Sequence, residues 1–218
     1  MTFSGWPESL VTFYSELEVN NTKAFWEANR HVYDEEVRAP MEALLAELED
    51  EFGTAKIFRP HRDVRFSKDK TPYKTQVAAA FHTADGGGFY VRASADGLGA
   101  GGGYYQLARD QLERLRHAAA DEATGEELAE LIRATAGRTG VEVHSEMLRT
   151  APRGWDRDHP RIDLLRRKNL TWMREAEPGP TVHTRRAVRF VRDTFRHGAP
   201  LLAWLDRHVG ASTEPRRR

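Results

Sequence analysis

Apolar positions recur at helical spacing through the first fifty residues. Leu10, Phe13, Tyr14 and Leu17 predict a helix over 7–19, with Pro7 in its first turn. Asn20-Asn21 breaks that pattern, and Asn21 is placed to cap a second helix running to about Val37, with Phe25, Trp26, Asn29, Val32 and Tyr33 on one face. Pro40 opens a third, with Met41, Leu44, Leu45, Leu48 and Phe52 inward and Gly53 as its stop. The period then changes. Ile57, Phe58, Val64 and Phe66 sit among polar residues over 55–66, which suits extended structure. Two β-rich runs, 75–83 and 89–94, flank Asp85-Gly86-Gly87-Gly88 and predict an antiparallel hairpin. Residues 96–103 read as a second glycine-rich loop. Helical spacing returns at 105–120 and 126–136, followed by a short strand at 141–144, a loop at 151–160 and a helix at about 161–168. A last helix spans roughly 184–209, interrupted at His197-Gly198-Ala199-Pro200 because proline supplies no backbone N–H.

Helices, then a β meander, then helices again is an α+β order without regular βαβ alternation. The expected sheet is short and mainly antiparallel, from about residues 55–105 with a strand near 141–144, packed with helices from both ends. No internal repeat and no Pro/Ser-rich linker occurs, so a single domain over 1–211 is expected, with 212–218 as a disordered tail. The 218 residues suffice for one full core. No stretch approaches the ~18 apolar residues of a membrane span. The start lacks the basic end and apolar run of a signal peptide, so the expected location is cytoplasmic. The lack of cysteine removes disulfides, thiolate catalysis, iron–sulfur clusters and cysteine-based zinc sites. No cofactor is implied.

Charge changes the picture more than composition does. The net charge is zero, yet residues 1–55 carry a balance of −9, residues 56–74 one of +5 and residues 145–170 one of +3. Such asymmetry marks either an anion-binding face or an acidic helical layer lying against a basic remainder.

The densest chemistry is His61-Arg62-Asp63-Val64-Arg65-Phe66-Ser67-Lys68-Asp69-Lys70-Thr71-Pro72-Tyr73-Lys74-Thr75. This segment resembles the signature RDxRFSKDKxPYK of a largely bacterial and fungal family known as domain of unknown function 2461, matching at every fixed position. Asn20-Asn21 with Phe25-Trp26, Gly101-Gly102-Gly103-Tyr104, Leu148–Trp155 and Asp158-His159-Pro160 extend the resemblance over most of the chain. Many relatives carry Trp-Phe where this chain has Phe25-Trp26. The family's name brings no activity with it.

In the motif, Arg62, Arg65, Lys68, Lys70 and Lys74 supply charge-assisted donors suited to phosphate or carboxylate, and Tyr73 a hydroxyl. Asp63 and Asp69 sit among these cations as supporting residues, Asp63 placed to orient the arginines. Three readings stay open. One is a module for a small anionic ligand held by Arg62, Arg65, Lys68, Lys70, Tyr73 and Lys74. Another is a phosphoryl-transfer or hydrolytic enzyme using Asp63 or Asp69 as base or metal ligand, with the cations stabilising developing charge. The third is a structural or protein-interaction role, in which the motif is a salt-bridge lattice pinning the meander to the acidic helices. Nucleic acid ranks below a small ligand, because a neutral chain is unlike dedicated binders. Gly101, Gly102 and Gly103 could offer backbone N–H groups to a phosphate, but the stretch lacks a P-loop ending, and turn or bulge glycines explain it more simply. Asp156, Asp158 and His159 have metal-binding residue types without a ligand spacing; Asp158 as a helix cap before Pro160 is the simpler account, so no metal is expected. Oligomeric state is not readable from these patterns.

Overall fold

The computed structural model describes residues 2–65 and 67–214. The fold is α+β, as the element order predicts, around one six-stranded antiparallel sheet. Its strands are β1 (Ala55–Ile57), β2 (Gln76–His82), β3 (Gly88–Ser94), β4 (Gly97–Tyr104), β5 (Val141–His144) and β6 (Leu170–Ala176), in spatial order β1-β2-β3-β4-β6-β5. The hairpin about Gly86-Gly87 and the strand at 141–144 are as expected.

Two strands depart from expectation. Residues 97–103 are not a loop but most of β4, an interior strand buried along nearly its whole length. Its glycines answer to neighbours rather than to turns. A Cβ on Gly99 would lie 2.6 Å from Glu175 Oε2 and 3.0 Å from the Arg92 side chain. Gly99 is the gap through which Arg92 of β3 reaches across β4 to Glu175 of β6, at 3.0 Å. A Cβ on Gly101 would meet the Trp172 carbonyl at 2.0 Å, and one on Gly102 the Trp172 ring at 2.7 Å. Glycine inside a strand marks such close approach. The other is β6, absent from the expected elements, where Leu170 and Trp172 alternate inward and are both fully buried.

The helices are α1 (Ser9–Val19), α2 (Lys23–Val32), α3 (Ala39–Ala46), α4 (Glu49–Phe52), α5 (Arg109–Ala120), α6 (Glu122–Ala136), α7 (Ile162–Leu165) and α8 (Arg186–His208). Thr22, not Asn21, caps α2, accepting from Phe25 N–H at 3.2 Å. Pro40 does not open a separate helix. A wide turn at Tyr33–Arg38, in which Ala39 N–H reaches back five residues to Asp34 O, carries α2 into α3 without a break. Asp158 caps nothing: α7 begins after Arg161 with no side-chain cap, and Asp156 Oδ1 instead accepts from Asp158 N–H at 2.9 Å.

The chain forms two compact units that interleave in sequence: Met1–Phe81 with Tyr90–Ala100 and Glu175–Asp193, and His82–Phe89 with Gly101–Arg174 and Thr194–Arg218. In the first, Trp6, Leu10, Phe13, Tyr14, Leu17, Val37, Met41 and Leu44 from the N-terminal helices are buried together with Val77, Ala79, Val91 and Leu98 of the sheet. Glu47, beyond α3, takes a two-pronged ion pair from Arg185 at 2.8 and 2.7 Å and accepts from Phe3 N–H. Arg185 thereby holds the Glu47 carboxyl below its usual range.

The second unit packs around Trp172. Gly198 of α8 lies against its indole, so closely that a Cβ there would sit 2.0 Å from Trp172 Cε2. The expected interruption at 197–200 therefore does not occur. Leu201, Leu202, Trp204 and Leu205 are buried just beyond Pro200 and hold α8 continuous through the missing N–H. At the hairpin end of this unit, Tyr104 Oη lies 2.7 Å from Asp206 Oδ1 and 2.9 Å from the Asp85 carbonyl, and Thr83 donates to Asp206 at 3.2 Å. Burial pushes the Asp206 carboxyl up despite these donors. Of the expected tail, Ser212 Oγ and Thr213 N–H both donate to Asp110 at 2.8 Å. Residues 215–218 lie outside the described residues, as does Phe66, the last residue of the expected extended stretch.

Two outcomes follow from this packing. Gly198→Ala should lower stability by about 1–3 kcal/mol in a denaturant titration, because overpacking against Trp172 outweighs the roughly 1 kcal/mol that alanine gains over glycine in a helix. Asp206 is raised in the folded state, so its contribution favours the fold at low pH and is lost as pH rises through its folded value. The melting temperature of Asp206→Asn, relative to the parent protein, should therefore improve between about pH 4 and about pH 7; a flat difference would contradict the burial argument.

Candidate functional site

The 62–74 segment is a loop closed at its base and braced from within. Arg62 N–H donates to Pro72 O and Lys74 N–H to Pro60 O, both at 2.8 Å, so that His61 and Tyr73 form an isolated antiparallel bridge. The base is docked on the α1–α2 connection. Asn21 Nδ2 donates to Tyr73 O at 2.9 Å, and Tyr73 N–H donates to Asn21 Oδ1 at 3.0 Å. One amide side chain thus pairs with Tyr73 much as a neighbouring strand would. Trp26 stacks on the Tyr73 ring at 4.3 Å and 8° between planes, and Tyr73 is 4% exposed. Offset stacking of this kind adds to the area it buries.

Within the loop, Arg62 pairs with Asp69 at 2.5 Å and also donates to Thr71 Oγ1. Asp69 Oδ1 accepts from both Thr71 N–H and its hydroxyl, at 2.9 and 2.8 Å. Arg65 pairs with Asp63 through two donors at 3.0 and 2.7 Å. The donor groups of Arg65, side chain first and then backbone N–H, hold the Asp63 carboxyl down at about 2. Thr71 and Arg62 likewise hold Asp69 below its usual range. Both carboxylates are spent inside the loop.

The lysines are not neutralised in that way. Lys70 Nζ donates to the Val64 carbonyl at 2.9 Å, which braces the loop and leaves its charge uncompensated. Lys74 lies over the Phe58 ring at 5.4 Å, and burial followed by repulsion from Arg59 lowers its ammonium below the usual lysine range. Among the described residues, Lys68 and Arg59 take part in no ion pair, and both are exposed.

The expected site residues therefore divide. Arg62, Asp69 and Tyr73 sit at the braced and docked side. Arg65, held by Asp63, is 77% exposed in its side chain, while Lys68 and Lys70 face solvent and Lys74 is half-buried. The loop belongs to the first unit, whereas Gly101, Gly102 and Gly103 belong to the second, where Trp172, Met173 and Leu170 account for their lack of side chains. Reading the motif alone missed Arg59, which lies just ahead of it in the same basic stretch, and it missed Asn21 and Trp26. Polar Asn21 beside aromatic Trp26 reads locally as an ordinary helix entry.

The family model described as "Conserved hypothetical protein (DUF2461)" matches residues 9–204, from the first turn of α1 almost to the end of α8. The chain belongs to the DUF2461 family. The match takes in the docked loop, the glycine strand β4 and the Trp172–Gly198 contact in one stretch. No curated protein matches the chain. No helix among the described residues of this DUF2461 protein is long and apolar enough to cross a membrane.

Asn21→Ala tests the docking of the loop. It leaves a partly buried N–H and C=O of Tyr73 without partners, at a cost of about 1–3 kcal/mol. The amides of Arg62 and Lys74 should lose hydrogen-exchange protection with it, while amides of α8 keep theirs; uniform loss across the protein would mean that the contact holds no separate element.

Proposed function

We propose that the loop at 59–74 is a surface site for an anionic ligand bearing phosphate or carboxylate groups. The observation that carries this reading is the split among its charges. Asp63 and Asp69 are consumed by Arg65 and Arg62, while Lys68, Lys70 and Lys74 make no ion pair among the described residues and Arg59 feels Asp63 only through longer-range attraction. An anion arriving there meets cations that gain a partner without giving one up. It also meets a braced loop, so that less ordering accompanies binding. Lys68, Lys70 and Lys74 with Arg65 are the proposed contacts, and Arg59 joins them. Arg62 and Tyr73 serve as anchors, and Asp63 and Asp69 shape the loop.

A structural role for the whole motif has less support. Its ion pairs run within the loop, between residues two and seven apart in sequence, and their side chains are a third exposed or more. Tyr73, Asn21 and Trp26 make the attachment to the helices. The reading as a base-assisted enzyme has less support still, since a carboxylate held near 2 by two arginine donors is a poor proton acceptor at neutral pH.

A thermal-shift series at low salt with phosphate, polyphosphate, sugar phosphates and dicarboxylates tests the proposal. At about 100 times the dissociation constant, a true ligand adds about 2.7 kcal/mol, a rise of roughly 5–11 °C for a chain of this size. The rise should fall with added salt and vanish in Lys68→Ala/Lys70→Ala, whose own melting point should stay close to that of the parent. No rise with any of these anions would overturn the assignment.

A further inference from the structure

The strand that precedes this loop in the chain leaves part of its backbone unused by the sheet. β1 is the outermost strand, paired on one side only. Its register sets Ala55, Lys56 and Ile57 opposite Phe81, Ala80 and Ala79, and Phe58 N–H donates to Ala78 O at 2.9 Å. Hydrogen-bonded pairs alternate along an antiparallel ladder, so Lys56 and Phe58 spend their backbone groups on β2. Ala55 and Ile57 then turn their N–H and C=O groups outward. A surface cleft of about 410 Å³ lies along this open edge, lined by Ala55, Lys56 and Ile57 on one side and by Arg38, Glu42, Leu45, Ala46 and Glu49 on the other. Its acids are already engaged: Glu42 by Arg38 at 2.8 Å and Glu49 by Thr54 at 2.9 Å.

Two outward donor–acceptor sets two residues apart, about 7 Å in a strand, match the repeat of another extended main chain. Leu45, Ala46 and Ile57 offer apolar contact to its alternate side chains. Exposed Arg59 follows Ile57 by two residues, at the entry to the basic 62–74 loop. We propose that the ligand is an extended acidic peptide of a partner protein. It adds as a short strand to β1, with small apolar residues in the cleft and its Asp/Glu run on Arg59, Lys68, Lys70 and Lys74. This deepens the anion-binding reading and rests on it.

Fluorescence anisotropy on the full chain tests the idea, with short peptides alternating Val and Thr and carrying an Asp/Glu run at one end or the other. Ile57→Pro and Ala55→Pro each remove one outward N–H and no ladder bond, a position at which an edge strand tolerates proline. Either variant should weaken the peptide at least tenfold while the small-anion thermal shift stays unchanged. Arg59→Glu should also weaken it, and replacing the acidic run by lysines should abolish binding. Three outcomes overturn strand addition and leave the small-anion site standing: equal binding to parent and proline variants, equal binding of a peptide with proline in its Val/Thr part, or no binding while phosphate still raises the melting point. If neither peptide nor phosphate binds, both proposals fall. A dimer in sedimentation that Ile57→Pro separates would make a second copy of this chain the occupant and overturn the peptide.

Discussion

The seating of Tyr73 against Asn21 and Trp26 is the contact on which the candidate site depends. A loop of eleven residues between His61 and Tyr73 carries four cations and two acids, and such a segment has no core of its own. Its base is ordered because Asn21 satisfies both backbone groups of Tyr73 and Trp26 covers the ring. Once Tyr73 is held, the bridge to His61 closes the loop, and Arg62, Asp69 and Thr71 can brace its interior. Loss of the anchor would cost little total stability compared with loss of a core tryptophan, yet it would disperse the cations, since each brace presupposes the closed loop.

The charge arrangement follows from that geometry. In a short closed loop, acids can reach only the cations nearest to them, and Asp63 and Asp69 take Arg65 and Arg62. Exposed pairs of this kind are worth little to stability. Their larger effect is to fix where the remaining positive charge points. Lys74 is the cation most strained by its surroundings, since burial and then repulsion from Arg59 lower its ammonium below the usual lysine range.

Close approach governs the sheet as anchoring governs the loop. Gly99 lets an ion pair pass over β4, Gly101 and Gly102 accommodate Trp172, and Gly198 receives the same indole from α8. Glycine lowers the intrinsic preference for both strand and helix, and here the packing of large neighbours into the vacated volume outweighs it.

The helix–meander–helix order, the β2–β3 hairpin, the strand at β5, the family and the basic segment were all legible in the chain, because each rests on local periodicity or on contiguous residue types. The parts that were not legible share a physical cause. Gly97–Gly103 carries a turn-like composition, and only the bulk of Arg92, Trp172 and Met173 on neighbouring strands makes it a buried strand. Pro40 and Pro200 predict breaks, but neighbouring turns and buried side chains keep both helices continuous. Asn21 and Trp26 stand some fifty residues from Tyr73 in sequence, so no local pattern could join them to the motif. Local chemistry determined which charges this protein carries and where along the chain; only tertiary contact decided which of them are spent on one another and which face outward, because ion pairing and burial depend on distances that the order of residues does not contain.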